Sequence, residues 1–226
     1  MSRAAAVIFD AYGTLLDVNS ATQRHADRLG ESWERISVQW RAKQLEYAWV
    51  RSLTGPAHHE DFWLCTRDAL DVVMARNGLH DAQLRQDLLE AYRVLAAYPE
   101  VPAMLRELRA AGIPAAILSN GSPFMLESAV RAAGIDRLLD AVLSVEEVGV
   151  FKPDPRVYRL ATRQFGCPAD QMLFVSANPW DGQAAAHAGF QVVRINRDGG
   201  PDEYGLAAML LTELPDLSGL PELAGV

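Results

Sequence analysis

Short apolar runs bounded by turn residues punctuate the chain: Ala4 to Phe9, Pro114 to Leu118, Ala141 to Leu143, Met172 to Val175 and Val192 to Ile195. Runs this short, without polar alternation, are the pattern of strands buried on both faces. Between the later runs the spacing turns helical and carries start signals. Ser122-Pro123 precedes Phe124 to Ala132, Asp154-Pro155 precedes Arg156 to Phe165, and Asn178-Pro179 precedes Trp180 to Ala188. A capping side chain followed by proline at the first helical position predicts a helix start in each case. Strand and helix in alternation imply right-handed crossovers, and hence an α/β core: a doubly wound parallel sheet, Rossmann-like, with helices on both faces.

The interval 19–98, between the first strand and the second, is far too long for one crossover and reads as almost entirely helical. It is predicted to be an inserted helical cap, with 1–18 and 99–226 forming the core. Within it Trp33, Ile36, Trp40, Tyr47 and Val50 recur at helical spacing, with Leu45, Ala48 and Leu53 as a second stripe beside them. Two apolar stripes predict a helix packed on both sides, its aromatics serving as bundle core. The tail from Gly199 onward gives no assignable pattern.

Composition narrows the function classes. The chain has 226 residues, half of them apolar and 22% charged, which suits one folded core carrying an insert. It carries 21 basic against 29 acidic residues, a net charge of -8, and no cluster of Lys or Arg, so nucleic acid is not an expected partner. No apolar run approaches the roughly 18 residues that cross a bilayer, and the first run lacks a cleavage-site pattern; no membrane partner and a cytoplasmic location are expected. Cys65 and Cys167 match no metal or redox spacing and read as reduced thiols outside the chemistry. The histidines show no ligand or triad spacing, and His58-His59 reads as structural or exposed.

In α/β sheets ligands bind beyond the carboxyl ends of the strands. After the first strand comes Asp10-Ala11-Tyr12-Gly13-Thr14, after the second Ser119-Asn120-Gly121, after the third Lys152 in F-K-P-D, and after the fourth Ser176-Ala177-Asn178-Pro179-Trp180-Asp181. Each group alone reads as turn or cap chemistry. Taken together, in an order set by one topology, they predict a single polar crevice.

These residues resemble the haloacid dehalogenase superfamily and, within it, the L-2-haloacid dehalogenases. The resemblance runs through V-I-F-D-A-Y-G-T-L-L-D-V, W-R-A-K-Q-L-E-Y-A-W-V-R-S-L, E-D-F-W, A-I-L-S-N-G-S-P, F-K-P-D-P-R-V-Y and F-V-S-A-N-P-W-D, over most of the chain. Most members of that superfamily are magnesium phosphatases, and a phosphatase is the rival reading; a catalytically silent binding member is another. Phosphatases place a second carboxylate two residues after the nucleophile, where this chain has Tyr12, and G-D-x-x-x-D after the fourth strand, where it runs from Ser176 through Ala177 to Asp181. A halide departs without a proton, so a dehalogenase needs no acid at Tyr12. Asp10 and Asp181 alone make a poor magnesium site, so no metal and no cofactor are expected.

The resemblance implies the following roles. Asp10 is the nucleophile, oriented by Thr14 and kept ionised by Lys152. Ser119 and the backbone amides of Ala11, Tyr12 and Asn120 hold the substrate carboxylate. Arg41 and the Asn120 side chain cradle the halide, with Trp180, Phe62 and Tyr12 as apolar wall. Asp181, directly or with Lys152, activates water, Ser176 and Asn178 position the ester and the base, and Tyr158 holds Lys152 or Asp181. A small 2-halo carboxylic acid substrate, a halide product and a homodimer are also implied. Departures from the family pattern, Ala177, Pro179 and Phe151, bear on substrate range.

Overall fold

A computed structural model describes residues 3–226. Its centre is a six-stranded, all-parallel sheet in the order β3-β2-β1-β4-β5-β6. The strands are β1 (Ala6–Phe9), β2 (Ala115–Ser119), β3 (Ala141–Ser144), β4 (Met172–Ser176), β5 (Gln191–Ile195) and β6 (Leu210–Leu214). Every residue of β1, β2 and β4 is buried, which explains why their sequences are apolar throughout. β1 lies between β2 and β4, with Phe9 level with Ile117 on one side and Val175 on the other. The chain order reverses there, so the crevice opens above the end of β1.

β6 is the strand that the hydrophobic pattern misses. It forms the sheet edge, is only partly buried, and carries Thr212 and Glu213 where a central strand would be apolar. Half-covered edge strands tolerate polar residues, so no buried run marks it.

Between β1 and β2 the chain forms α1 (Ser20–Gln23), α2 (Ala26–Leu29), α3 (Trp33–Leu53), α4 (Phe62–Arg76), α5 (Ala82–Arg93) and α6 (Val101–Ala110). A short neck ties the ends of the insert together: Asp17 N–H donates to the Ala96 carbonyl at 2.8 Å and Tyr98 N–H to the Leu15 carbonyl at 3.0 Å. α3 packs along α4, and its buried apolar residues are Ile36, Trp40, Leu45 and Ala48. The expectation of two apolar faces on α3 fails at its far end, where Val50 is 51% and Leu53 86% exposed. α3 still runs beside α4 at that level, where Arg51 donates to Asp68 Oδ2 at 2.7 Å, so Val50 and Leu53 lie on the face it turns away from α4. Its buried face also includes Ser37 and Gln44, which periodicity of apolar residues cannot signal.

The core continues with α7 (Pro123–Ala132), α8 (Pro155–Phe165), α9 (Pro179–His187) and α10 (Leu220–Ala224). All three expected proline starts are present, but only Asp154 caps with its side chain, accepting the Arg156 N–H. Ser122 and Asn178 make no side-chain cap. Asn178 is diverted into the crevice instead. Among the described residues no helix is long and apolar enough to cross a membrane.

Asp154→Ala therefore removes a working cap and is expected to lower stability by about 1 kcal/mol in urea unfolding. An unchanged denaturation midpoint would show that α8 starts without its cap.

Candidate active site

The chain leaves the sheet at Asp10, which is 4% exposed and whose N–H still donates to the Val175 carbonyl at 3.0 Å. Gly13 adopts φ +88°, turning the chain so that Thr14 comes back over the carboxylate. The Thr14 hydroxyl accepts the Ala177 N–H at 2.9 Å, which commits its own proton to Asp10 Oδ2 at 3.2 Å. Asn178 Nδ2 donates to the same Oδ2 at 2.7 Å and to the Tyr12 carbonyl at 3.2 Å. The other oxygen, Oδ1, receives Lys152 Nζ at the longer distance of 3.3 Å. One Asp10 oxygen is thus held by two donors and its twin by one.

Lys152 is fully buried and bridges two carboxylates, donating to Asp181 Oδ2 at 2.7 Å as well. Its main-chain N–H donates to Asn120 Oδ1 at 2.8 Å, so the loop after β3 is pinned to the end of β2. Asp181 is also fully buried; Tyr158 OH donates to its Oδ1 at 2.6 Å and Ser176 Oγ to its Oδ2 at 3.3 Å. Ser176 accepts the Asn178 N–H at 3.1 Å, which orients its proton toward Asp181 rather than Asp10. Burial pushes the Asp181 carboxyl up to about 6, with Lys152 pulling it down and Asp10 pushing it further up. Burial, then the neighbouring Asp181, holds the Tyr158 phenol well above its ordinary range, so it remains a donor.

Tyr12 and the cap close the crevice. The Tyr12 ring stacks on Tyr92 of α5 at 5.8 Å and meets Phe62 of α4 at 5.9 Å, and Phe62 meets Phe151 at 5.8 Å. Arg41 of α3 lies 5.8 Å from the Tyr12 ring centre and 6.0 Å from that of Phe62. Gly121 passes directly beneath Tyr12: a Cβ there would come within 2.9 Å of Leu126 and 3.0 Å of the Tyr12 ring. Ser119 is buried and its hydroxyl accepts the Gly121 N–H at 3.1 Å. Among the described residues the N–H groups of Ala11, Tyr12 and Asn120 donate to no main-chain carbonyl.

Thirteen of the expected residues thus lie around one crevice, and Trp180 stands apart. It packs edge-on against Trp49 at 5.6 Å and, with Phe151, Pro153 and Tyr204, lines an outer groove of about 440 Å³ at the seam between cap and core. Sequence reasoning missed Gln44, Thr66 and Tyr92, which hold Arg41 from behind. Gln44 lay inside the W-R-A-K-Q-L segment, three residues from Arg41, and that proximity was the available signal.

The donor set does not fit magnesium. Lys152 Nζ fills the space between the two carboxylates, Asp10 Oδ2 is taken by Asn178 and Thr14, and among the described residues no group of three His, Cys, Asp or Glu side chains could hold a metal ion.

Residues 4–189 match the haloacid dehalogenase-like hydrolase family. An (S)-2-haloacid dehalogenase 4A of Burkholderia cepacia is 45% identical over 205 residues, covering 90% of this chain and 88% of the relative. The crystal structure of a dehalogenase with an intermediate complex superposes with a TM-score of 0.96 at 42% identity, covering 100% of this chain and 99% of that one. The L-2-haloacid dehalogenase of Xanthobacter autotrophicus with chloropropionic acid covalently bound superposes with a TM-score of 0.85 at 36% identity, covering 97% and 98% of the two chains.

The Asp181 carboxyl is expected to titrate near about 6, rather than at its ordinary 3.8, when followed by carboxyl carbon NMR, and to fall in Asp10→Asn, where one repelling charge is gone. The folded state then holds a proton that the unfolded chain has released, so this group's contribution to stability declines as pH rises from 3.8 to about 6. A midpoint near 3.8 in both proteins would contradict the burial argument.

Proposed function

The chain belongs to the haloacid dehalogenase-like hydrolases, and on that premise we propose a hydrolytic dehalogenase that converts (S)-2-haloalkanoic acids to (R)-2-hydroxyalkanoic acids and halide through an ester on Asp10. The observation that carries this reading is the asymmetry of the Asp10 carboxylate. Oδ1 has one long contact to Lys152, whereas Oδ2 is held by Asn178 and Thr14. Hydrogen bonds reduce nucleophilicity, so Oδ1 attacks the alpha carbon from the side opposite the halogen, and configuration inverts. Holding the two reactants in line is worth up to about 7 to 11 kcal/mol in well-oriented systems. Tyr12, whose phenol burial keeps well above its ordinary range, offers no acid, and a departing halide requires none.

Substrate orientation follows from the donors at the strand ends. Ser119 and the free N–H groups of Ala11, Tyr12 and Asn120 receive the substrate carboxylate. Arg41 and the Asn120 amide take the halide; Asn120 Oδ1 is already engaged by the Lys152 N–H, so its Nδ2 is the end that can donate. Phe62 and Tyr12 form the apolar wall.

In the second step water attacks the Asp10 carboxyl carbon. Oδ2, now the ester carbonyl oxygen, gathers negative charge where Asn178 and Thr14 already donate. Esterification removes the Asp10 charge that pushes Asp181 up, so Asp181 ionises more readily when a base is wanted. Lys152, Tyr158 and Ser176 hold that base. Asp181 takes a proton from the attacking water and returns it to Oδ1 as the bond between the Asp10 carbonyl carbon and Oδ1 breaks, so the hydroxy acid leaves, and loss of the remaining water proton to solvent restores the carboxylate.

We take 19–98 as the cap and 1–18 with 99–226 as the core, and a homodimer as the working unit; exposed Val38, Val50 and Leu53 on α3 support pairing through the cap. Free Cys65 and Cys167 suit a reducing, cytoplasmic setting.

With enzyme in excess over 2-chloropropionate in heavy-oxygen water, a single turnover is expected to put label into Asp10 and none into the first hydroxy acid released. Label in that product would mean that water attacks the substrate carbon directly.

A further inference from the structure

Gln44 is a fully buried polar side chain that the reaction above leaves unused. It sits on α3 among the buried residues Ile36, Ser37, Trp40, Leu45 and Ala48, where a leucine would pack without any polar group to satisfy. Both ends of its amide are nevertheless engaged. Oε1 accepts from Arg41 Nη1 at 2.8 Å and from Tyr92 OH at 3.0 Å. Nε2 donates to Thr66 Oγ1 at 2.6 Å, and the Thr66 proton goes on to the Phe62 carbonyl at 2.7 Å. The chain of donors has a single direction, which points the amide oxygen at Arg41. Helices α3, α4 and α5 each contribute one anchor, and burial keeps the Tyr92 phenol protonated as a donor.

Arg41 has little else to hold it. Its remaining hydrogen bond is Nη2 to the Tyr12 carbonyl at 3.4 Å, a long contact. A long side chain resting on two aromatic rings would otherwise sample several rotamers. A neutral acceptor fixes the guanidinium while leaving its full charge available, whereas a carboxylate at the same place would cancel it.

We propose that Gln44 is a positioning residue, which locks one guanidinium nitrogen of Arg41 so that the rest of the group faces the halide leaving Asp10. The proposal rests on the reading of Arg41 as the halide-binding cation, and the test separates the two. It compares kcat/KM for 2-chloropropionate and 2-bromopropionate, together with inhibition by bromide and the melting temperature, in the wild type, Gln44→Leu, Gln44→Glu and Arg41→Lys. Chloride is the poorer leaving group and depends more on a well-placed cation. Gln44→Leu and Arg41→Lys are each expected to raise the bromo-to-chloro ratio, by roughly tenfold. Gln44→Glu keeps the side-chain length but sets a carboxylate beside Arg41 and gives up the donor to Thr66 Oγ1, so bromide inhibition is expected to weaken, with the melting temperature reading the separate cost to the fold. The double variant Gln44→Leu with Arg41→Lys is expected to be no worse than Arg41→Lys alone. An Arg41→Lys shift in the ratio with both Gln44 variants leaving ratio and bromide inhibition unchanged would reduce Gln44 to a structural residue. An unchanged ratio in Arg41→Lys would overturn the assignment of Arg41 itself, and the Gln44 proposal with it.

Discussion

A lysine with no exposed surface, held between two carboxylates, is the constraint on which the rest of the site depends. Removing an ammonium from water is costly unless opposite charge and hydrogen bonds replace the solvent, and Lys152 meets that requirement with Asp181 at 2.7 Å and Asp10 at 3.3 Å. Two negative charges against one positive leave the trio one charge in excess. Asp181, fully enclosed, answers by titrating high. The topology makes this arrangement possible. Lys152 follows β3, two strands away from β1, and reaches the centre because Asn120 at the end of β2 grips its main-chain N–H. Asp181 arrives from the far side of β1, at the first turn of α9.

The core and the cap contribute different kinds of chemistry. Charged and hydrogen-bonding groups come from strand ends in the core, while α3, α4 and α5 bring an arginine and aromatic surface. The two parts are joined close to the site: the Phe151 N–H donates to Ser52 Oγ at 3.0 Å, and His59 Nε2 meets Glu146 at 3.1 Å. Phe151 adjoins Lys152, so the seam and the buried cation share one loop. Excluding water at this seam lowers the local dielectric and strengthens every charge contact inside it. In the proposed reaction that is the condition under which a carboxylate can act as a carbon nucleophile.

Much of this was legible in the sequence because parallel strands buried on both faces leave apolar runs, and polar residues just after such runs have few other reasons to be there. Asp10, Ser119, Lys152 and Asp181 were found in that way. The edge strand β6 was not, since half-exposed residues carry no run. The polar interior of the cap escaped too: Gln44 and Thr66 are buried for each other's sake, and a pattern of apolar spacing has no term for that. Asn178 reads in sequence both as a helix cap and as a residue that positions the ester; its side chain turns away from α9 to Asp10, a choice between the two made by tertiary geometry. Trp180 is expected on the wall beside Tyr12 and instead packs edge-on at the seam against Trp49, a residue more than a hundred positions away.

The central claim is that the Asp10 carboxylate bonds covalently to the substrate carbon before water is used. Acid quenching during the first turnover, followed by mass analysis of the proteolytic fragments, tests it most directly. The expected result is a fragment containing Asp10 that is heavier by the 1-carboxyethyl group left when 2-chloropropionate loses its halide, appearing as halide is released and fading as hydroxy acid accumulates. Halide release matched at every time by free hydroxy acid, with Asp10 unmodified throughout, would contradict it.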